Sequence, residues 1–353
     1  MKPRNKESYL KPRLLAPINS NGVSAPTHTI QYVLDLPERE KEFVESQFKS
    51  NEDKRKYIKY RQEWHKRARE LDPGSFPLAV TCELASICNL ACSMCYTISD
   101  DFKNSVTGAQ RLLPWPTVKS IIDECADIGV YSMLFSWRGE SSLYYDKKHD
   151  KDFADVLAYA KQKNILEITS LTHGQTLTKG LIRRIVDADP NWISFSFDGI
   201  EDTYNSIRTP PSRKNDNNYN AYEKLIGNIS YFKEYRDSKG LKRPQIRSNT
   251  IYPAIENNPE RYYKALRDLG VDMCTSNELL DLRDGSVPIE MVQKKWACAY
   301  PFQRLTVSAN GTILPCTGAY LEQEGLVIGT IHGSSPKLLS NGVTNNYSIK
   351  EAW

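Results

Sequence analysis

Three of the eight cysteines of this chain lie within eight consecutive positions, as Cys88, Cys92 and Cys95. Thiolates at these spacings can converge on one metal centre, and soft thiolate ligands select iron–sulfur clusters or zinc. Zinc usually has a fourth Cys or His nearby, and the fifteen residues after Cys95 contain neither. Three ligands to a 4Fe–4S cluster leave one iron open for a substrate or cofactor. The alternative is that these are three small core residues that come together by chance.

Hydrophobic periodicity predicts the elements that position these cysteines. From residue 77 the chain alternates between apolar runs typical of strands and amphipathic stretches typical of helices. The predicted strands are 78–84, 131–137, 165–171, 192–197, 246–251 and 271–275, and the predicted helices are 117–128, 152–163, 179–187, 219–235 and 259–269. Such alternation implies an α/β fold with a parallel sheet. Six units suit a partial TIM-like (β/α)6 barrel better than a closed barrel of eight, and the site then lies at the carboxyl ends of the strands.

The segments on either side of this alternating region have a different pattern of charged and apolar residues. Residues 1–76 form a basic N-terminal extension, in which 1–36 resembles a loosely ordered arm and 37–71 has the pattern of one or two amphipathic helices. The charges of these helices indicate a solvated face, with a docking face for a partner as the alternative. Residues 77–276 make up the partial barrel. After residue 277 the alternation stops, and we expect a small second domain over 277–353.

Composition excludes several classes of protein. Hydrophobic residues make up 40% of the chain and charged residues 25%, which permits a sizeable core. The net charge of +4 is too small to indicate nucleic acid or a membrane as a partner. No apolar run approaches the ~18–20 residues that span a bilayer, and the N-terminus lacks the apolar core of a secretory signal. We therefore expect a cytoplasmic protein, where disulfides are rare.

The cysteine spacing, together with its place after the first strand of a six-unit barrel, resembles the radical S-adenosylmethionine (SAM) superfamily, whose signature is C-x3-C-x2-C. The resemblance implies that Cys88, Cys92 and Cys95 hold a 4Fe–4S cluster and that SAM chelates the fourth iron. It also implies that one electron cleaves SAM to methionine and a 5′-deoxyadenosyl radical, which abstracts hydrogen from a substrate. Met94 departs from the aromatic residue that many members have there, and Tyr96 is the candidate ring for the adenine.

Further positions match the motifs of this superfamily at later strand ends. Arg138-Gly139-Glu140-Ser141 resembles its G-G-E-P motif, and the resemblance implies that Gly139 permits a close backbone approach while Glu140 meets the SAM ammonium. Ser196, in the S-x-D-G step, is the candidate for the ribose, and Arg208 for the SAM carboxylate. His173 replaces Asn in the T-N-G step and is more often structural than catalytic. Cys274, at the end of the sixth strand, is either a hydrogen-atom donor at the barrel mouth or a small core residue.

The C-terminal segment resembles the opening of the SPASM (or twitch) domain, which carries auxiliary iron–sulfur clusters. Cys298, Gly311 and Cys316 give C-x12-G-x4-C, and the hairpin between the cysteines turns at Asn310-Gly311. The later cysteines of that domain are missing from this sequence. Two cysteines cannot fill a four-ligand cluster, so an auxiliary cluster on Cys298 and Cys316 would need further ligands from elsewhere.

Two classes of function follow. The first is a radical SAM enzyme that modifies an organic substrate, with a sugar or surface-polysaccharide precursor as the favoured substrate and a peptide or protein as the alternative. The reaction is then an oxidation, an epimerisation or another radical-mediated modification, driven by an external one-electron reductant such as flavodoxin or ferredoxin. The second class is an iron–sulfur or zinc protein without SAM chemistry. Glu140, Ser196 and Arg208 favour the first class over the second.

Overall fold

The computed structural model of the chain describes residues 37–100, 102, 112–216, 218–277, 298–319, 326–332 and 345–353. The N-terminal arm expected over residues 1–36 lies outside these ranges. Within them, no helix is long and apolar enough to cross a membrane.

A single sheet runs through most of the described residues. Its strands are β1 (Ala79–Cys82), β2 (Ser132–Leu134), β5 (Glu167–Thr172), β6 (Trp192–Ser196), β7 (Gln245–Ile251), β8 (Met273–Asn277), β9 (Arg304–Val307), β10 (Thr312–Leu314), β11 (Gly329–Ile331) and β12 (Asn346–Tyr347), and β3 (Tyr145–Asp146) and β4 (Lys151–Asp152) form a separate hairpin. The order across the sheet is β12-β11-β10-β9-β1-β2-β5-β6-β7-β8. The six strands from β1 to β8 are parallel, as the sequence predicts.

Helices connect these parallel strands. They are α3 (Trp115–Ile128), α4 (Phe153–Gln162), α5 (Lys179–Asp187), α6 (Glu201–Arg208), α7 (Ala221–Ser238) and α8 (Pro259–Leu269), while α1 (Pro37–Gln47) and α2 (Asn51–Glu70) precede the sheet and α9 (Ile349–Ala352) ends it. The predicted bounds of α5 and α8 agree with the structure, because the side chains of Thr178 and Asn258 cap their first turns. The sequence missed α6, which is short and has no side-chain cap at its N-terminus.

The two faces of the sheet differ in polarity. On the outer face, apolar side chains such as Val80, Met133, Ile168 and Ile193 join one core with the helices. Because successive strand residues point to opposite faces, the residues between them point inward. These inward positions are buried and mostly polar: Thr81, Ser132, Glu167, Ser194, Arg247, Thr275 and Thr306. The strands therefore present a polar interior that leads to their carboxyl ends.

The aromatic residues of α1 and α2 close the other end of this interior. Tyr57, Tyr60 and Trp64 of α2 are fully buried and form a second core with Trp192 of β6 and Met273 of β8. The predicted amphipathic helices are thus present, and their aromatic side packs against the strands. Arg247 lies under this cluster, with its guanidinium 4.6 Å from the centroid of the Trp192 ring.

The C-terminal strands continue the same sheet. β9 pairs with β1 in parallel, with Ala79 opposite Arg304, and β10 and β11 follow in antiparallel order. The first backbone N–H groups of α9, those of Ile349 and Lys350, donate to the Glu124 carboxylate of α3 at 2.9 and 3.0 Å. The segment that carries Cys316 is therefore attached directly to the strand that leads to Cys88.

We expect Trp64→Ala to lower the free energy of unfolding by about 3–5 kcal/mol, because it opens a cavity in this aromatic core. Ile58→Ala is the matched control on the same helix, since that side chain is 43% exposed. Its effect should stay within about 0.5 kcal/mol. Urea unfolding followed by circular dichroism measures both values, and equal losses in the two variants would contradict the role given to the aromatic face.

Candidate metal and cofactor site

A cavity of about 250 Å³ lies at the carboxyl ends of the parallel strands, where the sequence places the site. Its walls come from the loop after β1, the loop after β2, the ends of β5, β6 and β7, and the end of α6. The lining includes these predicted site residues: Cys88, Cys92, Cys95, Gly139, Glu140, Ser196 and Arg208. Residues separated by 120 positions in the sequence thus meet around one space.

The three thiols of the loop are held in different surroundings. The backbone N–H of Leu90 donates to Cys88 Sγ at 3.4 Å, and Cys95 Sγ lies 3.0 Å from Thr97 Oγ1. Burial raises the pKa of Cys88 to about 12. Burial also raises the pKa of Cys92, and the nearby Arg208 guanidinium opposes that rise. The thiols of Cys88 and Cys92 are therefore neutral in the apoprotein, and metal binding must release their protons.

The donor set fits a cluster better than a single ion. Among the described residues, no three His, Cys, Asp or Glu side chains are arranged to hold one metal ion. A zinc ion requires such convergence. In a 4Fe–4S cluster each thiolate binds a different iron, so the three sulfur atoms need only surround a common space. Cys88, Cys92 and Cys95 do this, because all three line the cavity.

Glu140 accepts hydrogen bonds from both neighbouring strand ends. Its Oε1 accepts from Thr172 Oγ1 at 2.5 Å, from Ser142 Oγ at 2.5 Å and from Ser142 N at 3.1 Å, and its Oε2 accepts from His173 N at 2.8 Å. The carboxylate is almost fully buried but still lines the cavity. It therefore organises the ends of β2 and β5, and only Oε2 retains capacity for a cationic ligand.

Gly139 lets the loop after β2 pack against the chain that leads to Cys88. A Cβ at this position would lie 2.4 Å from the carbonyl oxygen of Ala85 and 2.7 Å from that of Ile87. The next residue, Glu140, donates its backbone N–H to Ile87 O at 2.8 Å. The close approach expected at Gly139 is thus an approach between two segments of the protein.

A buried ion pair joins the same two loops to the C-terminal hairpin. Glu83 has no exposed surface, and its carboxylate accepts from Arg138 N at 3.0 Å, Nε at 3.1 Å and Nη2 at 2.7 Å. Its Oε2 also accepts from Ala309 N at 3.0 Å, in the turn between β9 and β10. Trp137, whose ring centroid lies 3.8 Å from the Arg138 guanidinium, donates Nε1–H to Thr317 O at 3.1 Å. Trp137 and the Glu83–Arg138 pair thus connect the loop after β2 to the C-terminal segment that carries Cys316. Arg138 stands where the superfamily motif has Gly.

Arg208 and Ser196 face the cavity from the opposite side. Arg208 Nε donates to Asp198 Oδ2 at 2.7 Å, Nη2 pairs with the same oxygen, and Asp198 Oδ1 accepts from Ile251 N at 2.8 Å. Within the part of the chain that the structure describes, Arg208 Nη1 and the Ser196 hydroxyl have no hydrogen-bond partner. Both groups are therefore available to a polar ligand.

Tyr96 does not lie where the sequence analysis placed it. Its ring packs edge-to-face on Phe102, with 5.4 Å between the centroids, because the turn that follows Cys95 directs it into the protein. Met94 lines the cavity in its place. The adenine contact expected of Tyr96 therefore finds no support in the geometry.

Cys274 also lies away from the cavity. β8 begins at Met273, so Cys274 is its second residue and points to the outer core, where Sγ lies 3.9 Å from the Tyr262 hydroxyl. Burial raises its pKa to about 12. The expected position at the barrel mouth is wrong, and the alternative of a small core residue agrees with this environment.

Cys298 and Cys316 are half-buried and close enough to interact. Burial raises the pKa of Cys316, and the neighbouring Cys298 thiol contributes to the rise. Neither cysteine lines the cavity. An auxiliary cluster at this pair stays a prediction.

Sequence reasoning missed Glu83 and gave Asn89 no role. Asn89, in the cysteine loop, contacts His173 Nε2 through Oδ1 at 2.8 Å. A charged residue directly after an apolar buried strand was a signal for Glu83, because a carboxylate at such a position needs a partner. No comparable signal existed for Asn89, whose partner is 84 residues away.

Residues 82–241 match the model of the radical SAM superfamily. The chain is similar to anSMEcpe with bound AdoMet at 12% identity and a TM-score of 0.52, over 71% of this chain and 77% of that chain. It is similar to anSMEcpe with bound AdoMet and Kp18Cys peptide at 12% identity and a TM-score of 0.51, over 75% of this chain and 80% of that chain. For SuiB of Streptococcus suis the identity is 14% and the TM-score 0.47, over 89% of this chain and 86% of that chain.

The similarity to anSMEcpe shows a shared fold, and the parallel sheet of this chain is a partial TIM-like barrel. Identities this low carry no substrate from one protein to another. No curated protein matches the sequence.

We expect Arg138→Met to lower the free energy of unfolding of the apoprotein by about 3–5 kcal/mol, because it leaves the buried Glu83 charge without its partner. The double variant Glu83→Gln, Arg138→Met should lose less, since no charge is left buried. Lys264→Met, which breaks the exposed pair with Asp268, is the control and should change the value by at most about 0.5 kcal/mol. Urea titration of the three variants is the measurement. A loss in Arg138→Met as small as in the control would refute the ion pair's importance.

Proposed function

We propose that this chain, whose residues 82–241 form a radical SAM domain, abstracts a hydrogen atom from a small organic substrate rich in hydroxyl groups, such as a sugar. The observation that carries the assignment is the cavity that brings together three cysteines, a buried carboxylate and an available guanidinium at the strand ends. The cofactors of the superfamily are a 4Fe–4S cluster and SAM.

The residues present fit both cofactors. Cys88, Cys92 and Cys95 hold the cluster through three thiolates. When bound, the cluster and SAM supply a one-electron cleavage that yields methionine and a 5′-deoxyadenosyl radical able to take hydrogen from the substrate. We assign the electron to an external one-electron donor such as flavodoxin or ferredoxin.

The chain's own residues orient SAM. Arg208 Nη1, which has no acceptor among the described residues, binds the SAM carboxylate, while Asp198 holds the guanidinium in place through Nε at 2.7 Å. Glu140 Oε2 accepts from the SAM ammonium beside His173 N, and the Ser196 hydroxyl binds the ribose. Leu171 and Ile251 keep this space apolar on one side and limit the access of water.

Neutral polar groups continue from the cavity along the ends of β6, β7 and β8. Asn249 lies opposite Ser196 in the sheet register and on the same face as Ile251, which lines the cavity. Its Oδ1 accepts from Asn277 Nδ2 at 2.6 Å and from Thr275 Oγ1 at 3.1 Å. Asn249 Nδ2 and Asn277 Oδ1 have no partner in the described ranges, so an amide donor and an amide acceptor stand beside the Ser196 hydroxyl.

These groups suit a neutral substrate with hydroxyl groups. A hydroxyl both donates and accepts, and it therefore satisfies an amide N–H and an amide oxygen together. The side chains of Ser196, Asn249 and Asn277 carry no charge, so they give no preference for an anionic or cationic ligand. A peptide is the second candidate, because the backbone amide offers the same two kinds of hydrogen bond.

The cluster assignment is tested by counting iron after anaerobic reconstitution. Replacing Cys88, Cys92 and Cys95 with Ala should abolish the brown chromophore and the bound iron, because thiolate ligation holds such clusters. Cys274→Ala and Cys125→Ala are the controls, since both side chains are buried in the outer core. They should keep about four irons per chain. A triple variant with the same iron content would overturn the assignment.

The substrate class is tested by deuterium transfer into 5′-deoxyadenosine. We expect transfer from deuterated mono- and disaccharides or nucleotide sugars, and none from deuterated peptides. Asn249→Ala should lower product formation about tenfold or more, because a buried hydrogen bond to the substrate is lost, while substrate-free cleavage of SAM continues. Transfer from a peptide alone would contradict the sugar proposal and leave the radical SAM assignment intact.

A further inference from the structure

His173 lies buried between the end of β5 and the cysteine loop. Its Nδ1 is 3.1 Å from the backbone N of Gln175, and its Nε2 is 2.8 Å from Asn89 Oδ1. A backbone N–H can only donate, so Nδ1 must accept and the proton of the neutral ring lies on Nε2. The ring therefore donates to Asn89. Burial lowers the pKa of His173 and keeps the ring neutral against the opposing effect of Glu140.

The backbone and neighbours of His173 are themselves held in place. The His173 N–H donates to Glu140 Oε2 at 2.8 Å. Gln175, which donates to the ring, also donates Nε2–H to Arg208 O at 2.9 Å and accepts from the Tyr219 hydroxyl at 2.7 Å. The imidazole is thus fixed from the side of Glu140 and from the side of Arg208.

Asn89 occupies the turn between the first two cysteines of the loop. The peptide that follows it carries the Leu90 N–H, which donates to Cys88 Sγ at 3.4 Å. Holding the Asn89 side chain therefore fixes the orientation of this N–H toward the thiol. Hydrogen bonds to the sulfur ligands are one of the means by which a protein tunes an iron–sulfur cluster.

We propose that His173 is a positioning residue for the cysteine loop: its Nε2–H holds Asn89 and thereby sets the turn that carries Cys88 and Cys92 before the cluster is bound. The purpose of that loop, cluster binding, rests on the proposed function. The T-N-G step of the superfamily has Asn where this chain has His173. An Asn side chain ends near the position of Nδ1 and is too short to replace the contact from Nε2.

The experiment measures thiol reactivity in the apoprotein, cysteine by cysteine, with iodoacetamide at constant pH and mass spectrometry. His173→Ala should raise the alkylation rate of Cys88 and Cys92 about three- to tenfold, the factor that one net hydrogen bond represents. His173→Gln keeps a donor near Nε2 and should remain close to the wild-type rate. His173→Asn lacks that donor and should resemble His173→Ala.

Asn89→Leu provides the reciprocal test. It removes the acceptor and should raise the same two rates, and the double variant with His173→Ala should add little, because both changes break one contact. Cys125 and Cys274, buried in the outer core, report unfolding in every sample. If His173→Ala unfolds the protein, the alkylation rates of Cys88 and Cys92 in His173→Gln and His173→Asn test the inference in its place.

Equal rates at Cys88 in the wild type and in the Asn and Leu variants would overturn the inference, as would equal behaviour of the Gln and Asn variants. If the His173 variants change the alkylation rates as expected but the wild-type protein fails to bind iron, the proposed function is refuted and the positioning role of His173 stands. The two failures are therefore distinguishable.

Discussion

A carboxylate without any exposed surface must be completely paired, and Glu83 imposes this condition on the chain. It lies between β1 and the cysteine loop, and its oxygens accept from the side chain and backbone of Arg138 and from Ala309 N. These donors belong to two separate segments, the loop after β2 and the turn between β9 and β10. Satisfying one buried charge therefore requires the loop after β2 and the hairpin after β9 to meet at the start of the cysteine loop.

The shape of the cavity follows from this junction. With Arg138 fixed, Gly139 packs on the backbone of residues 85–87, and Glu140 is directed toward the end of β5. There its carboxylate orders the strand ends, and the His173 ring, whose Nε2 lies 3.5 Å from Glu140 Oε2, holds the cysteine loop through Asn89. The site is consequently preorganised by protein hydrogen bonds before any cofactor enters, which limits the reorganisation needed on binding.

Local patterns in the sequence were enough to predict the strands, the helices and the residues whose placement depends only on neighbouring positions. The alternation of apolar and amphipathic stretches predicted the parallel strands and the bounds of α5 and α8, and the spacing of Cys88, Cys92 and Cys95 predicted three residues that line the cavity. Contacts between distant segments were not predictable. Glu83 meets Arg138 across 55 residues and His173 meets Asn89 across 84, while β9 joins the sheet beside β1. Cys274 was misplaced because β8 begins and ends two residues later than predicted, which moves this residue from the carboxyl end of the strand to its second position. Tyr96 was misplaced because the turn after Cys95 directs its ring into the protein.

We propose that the thiolates of Cys88, Cys92 and Cys95 leave a single iron of the cluster open for SAM. Mössbauer spectroscopy of the protein reconstituted with 57Fe, before and after SAM is added, distinguishes this iron from the other three. We expect about one quarter of the iron signal to change its isomer shift on addition of SAM, because one iron gains new ligands while the three thiolate-bound irons keep theirs. A spectrum that SAM leaves unchanged, in a protein that holds a complete cluster, would show that no iron is open to SAM.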